Sequence, residues 1–403
     1  MPDAVSVLGI GRRLDVVATP AGAQLEDASG RVLDREPGEA LVAAERLWRR
    51  VSAGEEPADG PPGTGLIAIG GFAFDPGHEL QPPWQGFAPL LFRVPELTLT
   101  RTRGRTYAGG DLSLLSAPKA YRGVPAHRLT RTGDTAGGFE RAVSRLTRRL
   151  SAGEAKKVVL ARQVVAQGDG VLAAAAVVGS LRAAYPSCYS YLVPGEDGSV
   201  LVGASPELLV RRQGRIATSQ PMAGSIARGA DEAGDLALAG RLRDSRKDSS
   251  EHSITSAYVA ERLAEVALDV STSQVEVVKL ASIQHLATTV VANLFDPAPS
   301  LLELAYRLHP TPAVNGDPKA AARALIAQLE GMERGWYAGA VGWMDARGDG
   351  ELAVALRCGL LQDDRAMVYA GVGVMPDSDP AAELAESALK LRAILDALGV
   401  GEA

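Results

Sequence analysis

Cysteine is nearly absent: 403 residues hold two, Cys188 and Cys358, far apart in the chain. That excludes a disulfide framework, and no His/Cys spacing suits zinc, so a reduced, cytoplasmic protein is the simplest expectation. No apolar run reaches the roughly 18 residues a membrane helix requires. The opening MPDAVSVLGI has no basic segment ahead of an apolar one, and no signal peptide is read there. Lys and Arg form no dense block and the net charge is −6, which argues against nucleic acid and anionic membranes as partners. The short basic clusters Arg148–Arg149 and Arg211–Arg215 read as solvated faces. The Gly-rich segments AGSIARG (223–229), YAGAVGW (337–343) and YAGVGV (369–374) match neither GxGxxG nor GxxxxGK[ST]. They are either turns and bulges in a crowded sheet or places where backbone N–H groups approach an anion.

What remains is a globular composition, 46% hydrophobic and 22% charged, long enough for a sizeable core. The pattern predicts a helix over 36–51, then strands over 65–74, 89–102 and 105–110, and a polar connection over 110–136. From there elements alternate: helix 138–150, strand 157–167, helix 171–184, and four short strands over 188–193, 199–204, 207–213 and 215–219, expected to pair as successive hairpins. A helical block spans 231–268. Strands follow near 275–280 and 288–294, helices near 300–307 and 317–332, strands at 338–344, 351–357 and 366–372, and a last helix over 379–398. Clustered antiparallel strands with helices grouped between them indicate an α+β fold, two packed and mostly antiparallel sheets with helices outside. One domain over 1–403 is expected, with a β-rich section over 1–136 and a core over 137–398.

Several residues stand out. In GEAKKVVLAR (153–162), strand alternation puts Lys157 on a face with Val159 and Ala161, and Lys156 on the other with Val158, Leu160 and Arg162. Alternation alone does not say which lysine points inward. Glu383, Glu386 and Lys390 share one helical face, which is either a solvated i, i+4 pair or half of a cation site. Asp248 and Glu251 repeat the i, i+3 spacing in the helical block beside His252. Two such acid pairs on two helices can meet around Mg²⁺, which takes few protein carboxylates and keeps waters. Arg357 ends the strand ELAVALRC facing with Glu351, Ala353 and Ala355. It reaches solvent or clamps a carboxylate. His285 closes a polar stretch just before a strand, and HPTPAVNGDP (309–318) is a rigid Pro-rich loop that lines a pocket or ends a helix.

Nine segments taken together resemble one family, the chorismate-utilising enzymes: KVVLAR, GASPELLV, PMAGSIARG, KDSSEH, HLATT, HPTPAVNG, ERGWYAGAVGW, ELAVALRC and YAGVGV…ELAESALKL, in order from about 138 to 395. The resemblance implies the fold of the anthranilate synthase large component and Mg²⁺-assisted attack on the chorismate ring with loss of the C4 hydroxyl. It implies Lys157 as general base on water attacking C2 and Glu207 as general acid on the leaving hydroxyl. It implies Glu251 and Glu386 as metal ligands, with Asp248 and Glu383 holding metal waters. Tyr337, Arg357, Gly371 and Lys390 match the groups around the enolpyruvyl carboxylate. Gly224, Ser225, His285 and Thr288 match further pocket contacts.

Within the family, Lys157 points to water as nucleophile, and Ala223 stands where aminodeoxychorismate synthases often carry a nucleophilic lysine. Ala313 and Val314 resemble the isochorismate synthase pattern. Isochorismate synthase is the branch expected. Salicylate synthase, which adds pyruvate elimination, is the alternative, ahead of an ammonia-using anthranilate or aminodeoxychorismate component and a non-catalytic chorismate-binding relative. The sequence departs from the usual pattern at Ser249, Ser250, Asn315, Asp317, Ala382, Ala385 and the Met375–Asp377 loop, none of them an expected catalytic position. The resemblance further implies a monomer whose product passes to a separate isochorismatase or lyase, in siderophore, menaquinone or other secondary metabolism.

Overall fold

The computed structural model describes residues 5–55, 58–115, 129–134 and 136–400. Much of the polar connection expected over 110–136 lies outside the described residues. Its described part holds a short turn of 3₁₀ helix, Leu112–Leu114, and a strand, Thr130–Asp134.

Among the described residues two large antiparallel sheets dominate, one of eleven strands and one of seven, accompanied by two three-stranded sheets. The expected α+β layering is what the chain forms. A continuous apolar cluster includes Val158 and Leu160 of the smaller large sheet and Val210 and Leu352 of the larger. Each fully buried Val, Leu or Ile there contributes about 1.5–3 kcal/mol. A second apolar cluster packs Val164, Val202 and Val368 of the seven-stranded sheet against Leu181 of helix Ala174–Ala184 and Leu391, Ile394 and Leu395 of helix Pro380–Leu398.

The expected succession of hairpins is interrupted where it matters. Val200–Ser205 pairs with Tyr189–Pro194 and with Cys358–Gln362 in the seven-stranded sheet. Leu208–Gln213 pairs with Ile216–Gln220 and with Gly350–Val354 in the eleven-stranded one. The chain therefore changes sheets at Pro206–Glu207, and again at Ala355–Arg357. The two crossings lie side by side, since Val354 N–H donates to Glu207 O (3.0 Å) and Ala204 N–H donates to Arg357 O (3.2 Å). Strand alternation thus fails for ELAVALRC: the strand ends at Val354, and Arg357 sits in the left-handed region at φ 51°, a conformation costly for a side-chain-bearing residue.

Two helices carry the paired acids. The expected block over 231–268 is two helices, Glu232–Asp244 and Arg246–Ala264, because the Ser245 hydroxyl accepts from Asp248 N–H and starts a new helix. Helix Pro380–Leu398 has three stop and start signals: Asp379 capping Ala382 N–H, Pro380 in the first turn, and Gly399 in the left-handed conformation at its end. The sequence stretch before residue 36 also forms strands that its pattern did not announce, Ser6–Ile10, Leu14–Thr19, Gly22–Asp27 and Val32–Pro37. No described helix is long and apolar enough to cross a membrane.

Candidate active site

A cleft opens beside the two sheet crossings. Ten of the expected site residues line it: Glu207, Gly224, Ser225, Glu251, His285, Ala313, Tyr337, Arg357, Gly371 and Lys390. Lys157, Thr288, Asp248, Glu383 and Glu386 stand behind that lining.

Strand Lys157–Gln167 pairs along its length with Arg365–Val374, setting Val159 opposite Gly373 and Ala161 opposite Gly371. The two adjacent lysines part company here. Lys157 is fully buried, its Nζ 3.0 Å from Glu251 Oε1 and 3.2 Å from Thr255 Oγ1. Lys156 leaves its side chain 72% exposed and meets Asp317 at 2.9 Å. Arg162, which shares the Lys156 face, is not solvated with it: it is buried and donates from Nε to Ser387 Oγ (2.7 Å). The Arg211–Arg215 cluster is likewise only partly solvated, since Arg212 is buried against Asp349 (2.8 Å) and Arg211 holds Glu351 (2.7 Å).

Glu207 is buried at its crossing. Burial pushes its carboxyl up to about 8, against the opposing pull of Lys157, Lys390 and Arg357 and a hydrogen bond from Met222 N–H. The group is therefore protonated at neutral pH and able to donate.

His285 lies within strand Ile283–Ala287, not before a strand, and faces Gly224 and Ser225 of Met222–Ala227. Gly224 supplies a bulge at φ 75°. Arg357 Nη2 stands 2.8 Å from His285 Nε2, and a guanidinium can only donate, so Nε2 accepts and Nδ1 carries the hydrogen. Nδ1–H then donates to Gly224 O (3.1 Å) and Ser225 Oγ (3.0 Å), and the Ser225 hydroxyl hydrogen is left for the Glu386 carboxylate. Burial, with Arg357 and Lys390 nearby, holds His285 well below its usual range and hence neutral. Polarity thus runs one way, from Arg357 through His285 and Ser225 to Glu386.

The helix-borne acids are not a solvated face. Glu383 is 1% exposed and pairs with Lys247. Glu386 pairs with Lys390 at 2.6 Å, and Lys390 Nζ also donates to Gly371 O (3.0 Å). Burial and the neighbouring Glu386 lift the Glu383 carboxyl to about 6, with Lys247 opposing. Burial, Glu251 and Glu386 raise Asp248 despite the Ser245 hydrogen bond. The four acids therefore feel one another across the two helices. Among the described residues, no three of them stand close enough to form a metal shell. Lys157, Lys247 and Lys390 instead neutralise Glu251, Glu383 and Glu386 one for one. Glu383 Oε2 is buried without a hydrogen-bond partner.

Thr288 does not reach the cleft. Its hydroxyl is 2.7 Å from Nε2 of His252, a ring that burial and Lys157 push down to about 4. Tyr337 stacks on Tyr369 with centroids 5.3 Å apart. Residues not singled out from the sequence complete the wall, among them Val159, Met222, Tyr369 and Gly373. Gly373 leaves a gap that a side chain would fill: a Cβ there would lie 1.9 Å from Glu251 Oε1 and 3.0 Å from Lys157 Cε. Its signal was the glycine two residues beyond Gly371 in YAGVGV.

Comparison with known proteins identifies the family. Residues 111–399 match the family described as chorismate binding enzyme. The chain is 34% identical over 356 residues to isochorismate synthase MenF of Bacillus subtilis, covering 83% of this chain and 75% of that protein. It superposes on the putative 2,3-dihydroxybenzoate-specific isochorismate synthase DhbC of Bacillus anthracis with TM-score 0.77 at 28% identity, covering 99% and 97% of the two chains. Anthranilate synthase component I of Streptococcus pneumoniae shares the fold, with TM-score 0.80 at 24% identity over 98% and 92% of the chains. The chain is a member of the chorismate binding enzyme family.

Proposed function

We propose that this protein is an isochorismate synthase, adding water to C2 of chorismate and expelling the C4 hydroxyl. The observation that carries the reading is the pairing of a buried amine, Lys157, with a carboxyl, Glu207, that keeps its proton up to about pH 8 at the same cleft. A displacement of this kind needs one group to take a proton from water and another to give one to the leaving hydroxyl, and an amine and a protonated carboxyl are suited to those two tasks.

Lys157 Nζ takes a proton from water as the C2–O bond forms. The two ring double bonds each shift by one carbon, and the C4–O bond breaks as Glu207 gives its proton to the departing hydroxyl. Water is consumed and released, so the reaction is a net isomerisation, and solvent returns each proton. Arg357, with Tyr337 and Lys390 around it, binds the enolpyruvyl carboxylate. The one-way polarity from Arg357 to Glu386 keeps His285 neutral and oriented as part of that wall.

The acids fit a hard divalent cation such as Mg²⁺: they are oxygen donors on two helices, mutually repelling, with one buried carboxylate oxygen unpartnered. Glu251 and Glu386 would hold it, and Asp248 and Glu383 its waters. Bound there, it would neutralise the ring carboxylate and draw charge from the ring.

Water rather than ammonia as nucleophile is supported by Lys157 and by Ala223 and Ala313, small residues in the cleft lining that offer no amine. The enzyme acts in the cytoplasm, as a monomer, and passes its product to a separate enzyme. Incubation of the purified protein with chorismate and Mg²⁺ tests the reading. Isochorismate without pyruvate is expected, and pyruvate in proportion to chorismate consumed makes the protein a salicylate synthase instead.

A further inference from the structure

Strand Lys157–Gln167 has one complete edge and one broken one. On the broken edge, Lys157 and Val158 pair with Gly316–Asp317, and pairing resumes only at Val164 with Thr130–Asp134. Among the described residues no strand covers 159–163 on that side. Val159 O and Ala161 N–H, which point to that edge, would be left open, next to the cleft wall.

Two buried side chains fill the gap. Arg334 and Glu330 lie four residues apart in the turn that follows helix Lys319–Leu329, with side chains 3% and 2% exposed. Glu330 Oε1 accepts from Ala161 N–H at 2.7 Å. Arg334 Nη2 donates to Val159 O at 2.9 Å, and Nη1 donates to Val314 O at 2.7 Å. The guanidinium meets the Glu330 carboxylate through Nε at 2.8 Å and lies over the Phe74 ring at 4.3 Å. Val159 N–H is taken by Asn315 O (2.8 Å), from the same loop as Val314.

We infer that the Arg334–Glu330 pair is a positioning device for the reaction: a side-chain substitute for the missing strand that fixes the Lys157 strand against the Ala313–Val314 loop. Val159, Ala313 and Val314 all line the cleft, and Lys157 stands two residues before Val159. Only a planar fork of donors spans both carbonyls and the carboxylate together. A lysine keeps the charge but lacks that fork. Slippage of the strand or loop by a fraction of an ångström displaces the base relative to the wall that holds the ring, and misplacement on that scale is costly to rate rather than to binding.

This inference rests on the proposed isomerisation, so its test has one arm that needs no turnover. Arg334→Lys, and the double variant Arg334→Met with Glu330→Gln that removes both buried charges together, are compared with the wild type by amide hydrogen exchange. Exchange at residues 159–163 and 313–316 is expected to quicken at least tenfold, with the rest of the seven-stranded sheet unchanged. In the second arm, well below each melting temperature, kcat for chorismate is expected to fall at least tenfold with KM within about threefold. Unchanged exchange, or kcat within twofold of wild type in a folded variant, overturns the inference. A wild type inert toward chorismate but with the expected exchange overturns the proposed function and leaves the substitute strand standing.

Discussion

Replacing Glu207 by Gln tests the electrostatics of the cleft in two independent ways. Burial raises the Glu207 carboxyl from the ordinary 4.5 to about 8. In the folded protein the group therefore holds its proton over a pH range in which the unfolded chain has lost it. The native state binds more protons in that window, so this group's contribution to stability is whole below about pH 4.5 and lost as pH rises to about 8. At about 1.4 kcal/mol per unit, the loss is on the order of 3–5 kcal/mol. Gln is neutral throughout and has no such slope. Denaturant melts of both proteins from pH 5 to 9 should show the variant gaining on the wild type by that order, most steeply between pH 5 and 8. Turnover should move the opposite way. The variant lacks the acid and should lose about 10²–10⁴ in kcat, while wild-type kcat/KM should fall with a limb near pH 8 as the acid form disappears. Parallel stability curves for the two proteins, together with a wild-type rate flat through pH 9, would refute the claim that Glu207 is a buried, protonated acid.

Other outcomes follow from the same geometry. Lys157→Ala should abolish turnover, whereas Lys156→Ala, which removes an exposed and solvent-screened pair with Asp317, should leave both stability and rate nearly unchanged; equal losses in both would undo the assignment of inward and outward lysines. Gly373→Ala places a methyl 1.9 Å from Glu251 Oε1 and should drive Glu251 off Lys157; overpacking of this kind costs about 1–3 kcal/mol, and activity should fall at least a hundredfold in a protein that still folds, with near wild-type kinetics as the contrary result. Chelation by EDTA should silence the enzyme and Mg²⁺ restore it; turnover indifferent to EDTA would remove the cation from Glu251 and Glu386.

The fold class was readable because the strands from 157 onward carry apolar runs between turn signals, and most of those elements lie within a few residues of where their pattern puts them. What failed to show has physical causes. The strands before residue 36 are short and carry charged residues on half-exposed faces, as in Val32–Pro37 with Asp34, Arg35 and Glu36. The break at Ser245 needed the cap to be recognised inside a polar helical pattern. Sheet crossing at Glu207 and Arg357 is invisible to alternation, because a strand that changes sheets keeps its apolar pattern on both sides of the crossing. Period-2 reasoning therefore misplaced Arg357, and it could not show that Arg162, on the same face as the exposed Lys156, is buried against Ser387 from a helix 225 residues later. The identity of the inward lysine came from register with a family rather than from the strand itself. Spacing did bring Glu383, Glu386 and Lys390 onto one face, but their burial depends on Lys247 and Ser225, which lie far away in sequence.

The most direct test of the account is the origin of the new hydroxyl. Chorismate turned over by the wild-type protein in H₂¹⁸O should yield isochorismate carrying ¹⁸O at C2, and no label in unreacted chorismate at short times. Isochorismate that retains ¹⁶O at C2 would mean that the original hydroxyl migrates, and would contradict water addition by Lys157 with hydroxyl loss through Glu207.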